Sequence, residues 1–397
     1  MLTPENSNNF KYLLKLLSSV MNSTLPPKPN GNTDWASVFS FAQRHSVAGM
    51  TAYAVEKLPE EYRPKTEIMD KFVEAKRCEL ILESNIQFET DNILAYFKEQ
   101  DIPIIILKGM IIKHYYPVSA MRTMSDVDLL YKAEQKAQVL KAFETLGYKL
   151  TLDFDSELNF TKPPFYHYEV HPTLVTKEKY AYDYYKDIWH KALIKDDGLA
   201  ALSLEDTYIY MIEHLAKHIE KSGAGIRMIM DVFVFLKKEK DNLDYTYLAK
   251  EFETLRLTSF ETKIKELAYN WFASPDPDTE SAVADYLLSS STFGTARNAI
   301  LQANVRKERK TGRKQNGFTY MWSKLFPPHS HICGRFPKAH NRKFLYPFYL
   351  PAYWHLRLFK DKNVNTSNLG NYFVKTNSDE AKVILNAIES LGLQDRI

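Results

Sequence analysis

Cysteine, glycine and long apolar runs are all scarce in this chain, and each shortage removes a class of protein. Two cysteines in 397 residues, Cys78 and Cys333, form neither a disulfide framework nor a zinc-ligand spacing. A reducing cytoplasm is therefore the expected setting. No uninterrupted apolar stretch approaches the ~18 residues that a bilayer span needs, so no membrane span is expected. The first apolar segment, Phe10-Lys11-Tyr12-Leu13-Leu14-Lys15-Leu16-Leu17, is interrupted by lysines at helical spacing. It reads as an amphipathic helix and not as a signal peptide. An excess of one charge is missing too, and the net +3 points to no partner. Thirteen glycines against 25 tyrosines and 23 phenylalanines suit a helix-rich, well-packed protein. The length suggests two or three domains.

What is present is organised around one stretch. Pro103-Ile104-Ile105-Ile106-Leu107 is too short for a helix and rich in β-branched residues, so it reads as a buried strand. It ends at Lys108-Gly109, and Met110 to Tyr116 carry a short helical pattern. After Arg122 and Ser125 comes Asp126-Val127-Asp128-Leu129-Leu130-Tyr131, a second strand with carboxylates at i and i+2. Side chains two apart on a strand share a face, so both carboxylates aim at one spot. Such like charges call for a cation, and Mg²⁺ commonly bridges carboxylates to substrate phosphates.

Around this stretch the chain divides into a helical region at 1–100, an α/β core at 101–200, a helical region at 201–272 and a helical, partly basic remainder at 273–397. Asn32-Thr33-Asp34 offers an N-cap, and Glu67 to Glu99 is a long helical pattern free of proline and glycine. The N-terminal helices are expected to form a platform for the sheet. In the core, Ala133 to Leu146 is a helix stopped by Gly147, and Tyr148 to Leu152 is a strand. Leu158 to Thr161 and Phe165 to Leu174 make a hairpin around Lys162-Pro163-Pro164. In its second arm His167, Glu169 and His171 share the polar face, which places a third carboxylate on a separate strand. Ser203-Leu204-Glu205-Asp206 starts a helix that carries His214 and His218, and Ile226 to Lys238 forms another. No internal repeat is present.

These residues resemble the DNA polymerase β-like nucleotidyltransferase superfamily. The closer likeness is to bacterial nucleotidyltransferase-like proteins with an LKG…R…DxDLL signature, here Leu107-Lys108-Gly109, Arg122 and Asp126-Val127-Asp128-Leu129-Leu130. The likeness continues through Glu169-Val170-His171, His214 to His218 with Arg227 and Asp231, and Leu325-Phe326-Pro327-Pro328. It implies an α+β fold, with a small mixed-sheet core embedded in largely helical N- and C-terminal regions. It further implies transfer of a nucleoside monophosphate from an NTP, ATP among them, to a hydroxyl acceptor with release of pyrophosphate. The acceptor could be a small molecule, a protein side chain or an RNA end.

Carried over by the resemblance, Asp126, Asp128 and Glu169 hold two Mg²⁺ ions, with Mn²⁺ an alternative, and Glu157 competes for the third place. Lys108, Gly109, Arg122 and Ser125 face the nucleotide. The expected phosphate-loop serine is missing, because Met110 stands in its place. That keeps a second reading open, a non-catalytic nucleotide-binding or RNA-associated module on the same fold.

His171, His218, Arg227 and Asp231 are candidates for a supporting layer. His214 and His218 fall one turn apart, a spacing that suits a metal, but packing is the simpler account without a nearby acidic partner. Arg227 and Asp231 read most simply as an intrahelical ion pair. Between Arg297 and Lys343 the only acidic residue is Glu308. That stretch, 297–343, could bind RNA, a phosphorylated acceptor or an anionic membrane surface, although a solvated helix face is the simpler account. The aromatic run Phe344 to Phe359 is expected in a core.

Overall fold

The computed structural model describes residues 4–176, 180–194 and 199–292, scattered positions between 294 and 356, and 378–396. Its centre is a seven-stranded mixed sheet in the order β3-β4-β5-β2-β1-β7-β6. The strands are β1 (Ile104–Ile106), β2 (Val127–Tyr131), β3 (Lys149–Phe154), β4 (Glu157–Lys162), β5 (Tyr166–His171), β6 (Leu193–Ile194) and β7 (Ala200–Ala201). β2 runs antiparallel to β1 and parallel to β5, and Asp128 lies directly opposite Glu169. Turn chemistry set this order. Lys162-Pro163-Pro164 reverses the chain so that Lys162 pairs with Tyr166 in the β4–β5 hairpin. Gly147, at φ +82°, ends α6 (Lys136–Thr145) in the left-handed conformation that a side chain would strain.

Strand alternation then divides the side chains. Val127, Leu129 and Tyr131 of β2, with Tyr168 and Val170 of β5, face a core built with Val139, Ala142 and Phe143 of α6. The same core takes Ile86, Ile93, Leu94 and Phe97 from α4 (Thr66–Glu99), a 34-residue helix. On the opposite face, Leu130 and Ile105 enter a second and larger core. Asp128, Glu169 and His171 sit on that face as well, where it opens into a cleft.

The expected N-terminal platform is divided between the two cores. α1 (Pro4–Met21), α2 (Trp35–Arg44) and α3 (Ala48–Val55) share this core with α8 (Leu204–Lys221), α9 (Ile226–Glu239), α10 (Tyr245–Thr254) and α11 (Thr258–Ala273), with α1 packed on α11 and α3 on α4. Of the N-terminal helices, α4 supplies the packing on the sheet core. Local signals nevertheless set the ends as read: Asp34 caps α2 through the Ala36 N–H, and Ser203 caps α8 through the Asp206 N–H. α9 is apolar nearly all round, with every residue from Ile226 to Leu236 buried, as befits a helix enclosed by its neighbours. The aromatic run departs from expectation in part. Leu350 and Tyr353 sit in a small separate cluster with Ile332 and Ala339, while Phe344 and Phe348 are exposed. Residues 357–359 of the run lie outside the described residues. No described helix is long and apolar enough to cross a membrane.

The start of α9 is held by a buried imidazole. His45 Nδ1 accepts from the Ile226 N–H at 3.2 Å, and Nε2–H donates to the Leu288 carbonyl at 3.2 Å. Gly225 allows this approach, since a Cβ there would meet Thr292 Cα at 2.7 Å and His45 Nδ1 at 2.8 Å. Burial, with a smaller push from the Arg44 charge, lowers the His45 pKa from 6.5 to about 3. The folded protein therefore binds this proton less readily than the unfolded chain, and stability is intact above ~6.5 and falls as pH drops toward 3. Between roughly pH 7.5 and 5, His45 should remove about 2 kcal/mol of stability. Urea unfolding at both pH values checks this: the wild type should lose about that much more than His45→Gln, and equal losses would discharge His45 from the effect.

Candidate active site

The cleft, roughly 1020 Å³, opens between the polar face of β2–β5 and the helices α8 and α9. Its floor follows from strand geometry. Asp128 and Glu169 are laterally paired, and His171 lies two residues beyond Glu169 on the same face. One ligand atom from each of Asp128, Glu169 and His171 can be chosen so that all three lie within 4.8 Å of one another. Asp126, just before β2, falls outside that tight group. It lines the same cleft and accepts from the Ser125 hydroxyl at 2.8 Å.

Charge is distributed unevenly over this floor. Lys108 Nζ donates to Asp128 Oδ2 at 2.6 Å, and His171 Nε2 lies 3.3 Å from Oδ1. Burial alone would raise the Asp128 pKa, but Lys108 and His171 outweigh it and hold the carboxyl well below the usual range. Glu169 has no comparable cation. Burial first, then the charges of Asp126, Glu157 and Asp128, push its pKa up to about 8. A divalent cation would relieve that crowding, and two carboxylates with one imidazole make a fitting donor set. Oxygen donors suit Mg²⁺, and the imidazole nitrogen also admits Mn²⁺.

The residues expected at the nucleotide are differently engaged. Arg122 is buried and grips Asp231 with two bonds, Nε to Oδ1 at 2.9 Å and the second nitrogen to Oδ2 at 2.8 Å. Tyr116 Oη–H donates to the same Asp231 Oδ1 at 2.7 Å. Asp231 thus takes its ion pair from Arg122, which corrects the reading of an Arg227–Asp231 pair, while Arg227 donates to the Thr123 carbonyl. Gly109 opens α5 (Gly109–Ile112), a single turn, and a Cβ there would come within 3.1 Å of the Arg122 guanidinium. Met110, in the place of the expected serine, is buried in the sheet core and points no polar atom at the cleft.

His214 and His218 line the cleft with Nε2 atoms 3.2 Å apart. Burial, then the nearby Lys108 charge, pushes His218 down to about 3 and His214 well below its ordinary value. Both are neutral, and one donates to the other. Among the described residues no carboxylate joins them in a three-ligand group.

Sequence reasoning did not find Lys217 and Lys221 on the cleft side of α8, although the helical spacing from His214 and His218 places them nearby. It also missed Arg396, whose guanidinium pairs with Glu213 at 2.7 Å and Glu220 at 3.4 Å at the same cleft. No local signal announces a contact spanning 183 residues. The basic cluster at 306–314 lies outside the described residues.

Comparison with known proteins gives the following. The profile of a family described as uncharacterised nucleotidyltransferase matches residues 31–273. A solution structure of the antibiotic-resistance factor ANT(2'')-Ia is 15% identical with a TM-score of 0.25, and covers 48% of this chain and 92% of that one. A crystal structure of ANT(2'')-Ia with adenylyl-2''-tobramycin is 14% identical with a TM-score of 0.24, covering 48% and 98%. Superpositions at that level carry no argument about the site. No curated protein matches the sequence.

Proposed function

The chain belongs to the uncharacterised nucleotidyltransferase family, and from that premise we propose that it transfers a nucleoside monophosphate from an NTP to a hydroxyl acceptor, releasing pyrophosphate. The observation that carries this reading is the convergence of Asp128, Glu169 and His171 on one cleft floor, with Asp126 beside them. Asp126, Asp128 and Glu169 would hold the divalent ions, and His171 supplies a nitrogen to the same group. When bound, Mg²⁺ would activate the attacking hydroxyl and stabilise the leaving pyrophosphate. The chain's own residues prepare the site. Lys108 keeps Asp128 ionised and in place, and the paired register of β2 and β5 fixes the spacing of Asp128 from Glu169. α8 and α9 wall the cleft, and the neutral His214–His218 pair adds no charge to it.

One feature favours a second reading: the buried Met110 withholds a side-chain contact from the phosphates, as would suit a nucleotide binder without turnover. Calorimetry with each NTP, with and without Mg²⁺, together with pyrophosphate release from the same mixtures, separates the two. Transfer predicts Mg²⁺-dependent binding that an Asp126→Ala, Asp128→Ala double variant loses, and pyrophosphate release once an acceptor is supplied. Binding with no release across sugar, aminoglycoside, protein and RNA acceptors would favour the binder. Absence of binding to any NTP would sink both.

A further inference from the structure

The cations expected at a nucleotide's phosphates are already occupied. Lys108 is bonded to Asp128 and Arg122 to Asp231, and the one-turn α5 behind Gly109 is too short to present a developed helix dipole. The cleft nevertheless contains two further ammonium groups. Lys217 and Lys221 lie one turn apart on α8, on the wall facing the carboxylate floor. Both residues are exposed to the cleft, and neither has a hydrogen bond or ion pair with any described residue. Desolvation by the surrounding walls, then repulsion from Lys108 and Lys221, outweighs the pull of Asp128 and Glu157 and lowers the Lys217 pKa. Beside Lys108, Arg122 and Arg396, which line the same cleft and are each ion-paired, two lysines at helical spacing without an ion pair mark a place for negative charge.

Resting on the nucleotidyl-transfer reading, we propose that Lys217 and Lys221 seat the polyphosphate tail of the NTP, taking over the role that the phosphate-loop position at Met110 cannot fill. The tail then spans the cleft, with its α-phosphate end at the Asp126–Asp128–Glu169 floor and its terminal phosphates against α8. Two ammonium groups suit this task as point charges, since lysine makes no bidentate demand on the phosphate geometry.

The test is calorimetric binding of inorganic tripolyphosphate and of ATP to the full chain, wild type against Lys217→Gln, Lys221→Gln. Both positions are exposed, so the double variant should melt with the wild type. Loss of about 10-fold in affinity per lysine, roughly 100-fold for the pair, is expected for both probes. Lys57→Gln with Lys250→Gln, two exposed lysines outside the cleft, should leave binding unchanged. Unaltered tripolyphosphate affinity in the Lys217–Lys221 variant, or no tripolyphosphate binding by the wild type, overturns the seat. The two proposals fail separately. A seat lost in the variant while the wild type never releases pyrophosphate keeps the seat and rejects transfer. Pyrophosphate release that is equal in wild type and double variant keeps transfer and rejects the seat.

Discussion

Asp231→Ala should destabilise the protein by about 3–5 kcal/mol, because it leaves a buried guanidinium without its partner. Asp231 takes two bonds from Arg122 and one from the Tyr116 hydroxyl, and the side chains of both ion partners are less than one-tenth exposed. Removing the carboxylate strands a charge and a hydroxyl at once. The pair's own net value is much smaller than that loss, since both ions were desolvated to form it. A double variant, Arg122→Met with Asp231→Leu, should therefore recover most of the stability lost by Asp231→Ala. Urea unfolding of the singles and the double gives the coupling, and additive losses would show that the two side chains do not depend on each other. The effect reaches the cleft. Arg122 packs against Gly109 and ties the turn after β1 to α9, so the turn should loosen when Asp231 is lost.

The second large effect separates stability from function. Asp128→Asn should lower nucleotide transfer by about 10³-fold or more, by removing a charge from the metal-binding floor. It also leaves Lys108 with a weaker partner, so part of any loss could come from unfolding. Asp126→Asn resolves this. Asp126 is half-exposed and its one recorded bond comes from Ser125, so its replacement should change stability by no more than about 0.5 kcal/mol. If Asp126 holds metal as proposed, that variant melts normally yet loses Mg²⁺-dependent NTP binding. Normal melting with binding retained in both variants would remove the carboxylate floor as the metal site.

The elements whose ends are written in local chemistry were legible in the sequence. Three isoleucines, Gly147 and Lys162-Pro163-Pro164 sufficed to place β1, α6 and the β4–β5 hairpin. Alternation in Tyr166 to His171 put Glu169 on the polar face, which is where β5 presents it to the cleft. The family resemblance is confirmed by the match over 31–273. Long-range pairing was not legible. Arg227 lies four residues from Asp231 and is the obvious partner from spacing, but Arg122 arrives from 109 residues away with a bidentate fork. Which face of α1–α3 meets α9 and α11 was equally hidden, because amphipathic helices state that they have a buried side and not what will cover it. Phe344 and Phe348 read as core for the same reason, and they are exposed.

β2 has one further consequence, for what kinds of change the gene can tolerate. Its odd positions fill the aromatic core around Phe143 and Phe160, and its even positions carry Asp128 and Leu130 to the other side. A residue inserted between Val127 and Asp128 would exchange the two sets, turning a carboxylate into the aromatic packing and an apolar side chain into the cleft. The connection from Lys113 to Ser125 is 3-10 turns and loop, yet it is no freer in length, because Tyr116 and Arg122 within it must both reach Asp231. Change along β2 and the segment before it is therefore expected residue by residue, as substitution and not as insertion or deletion.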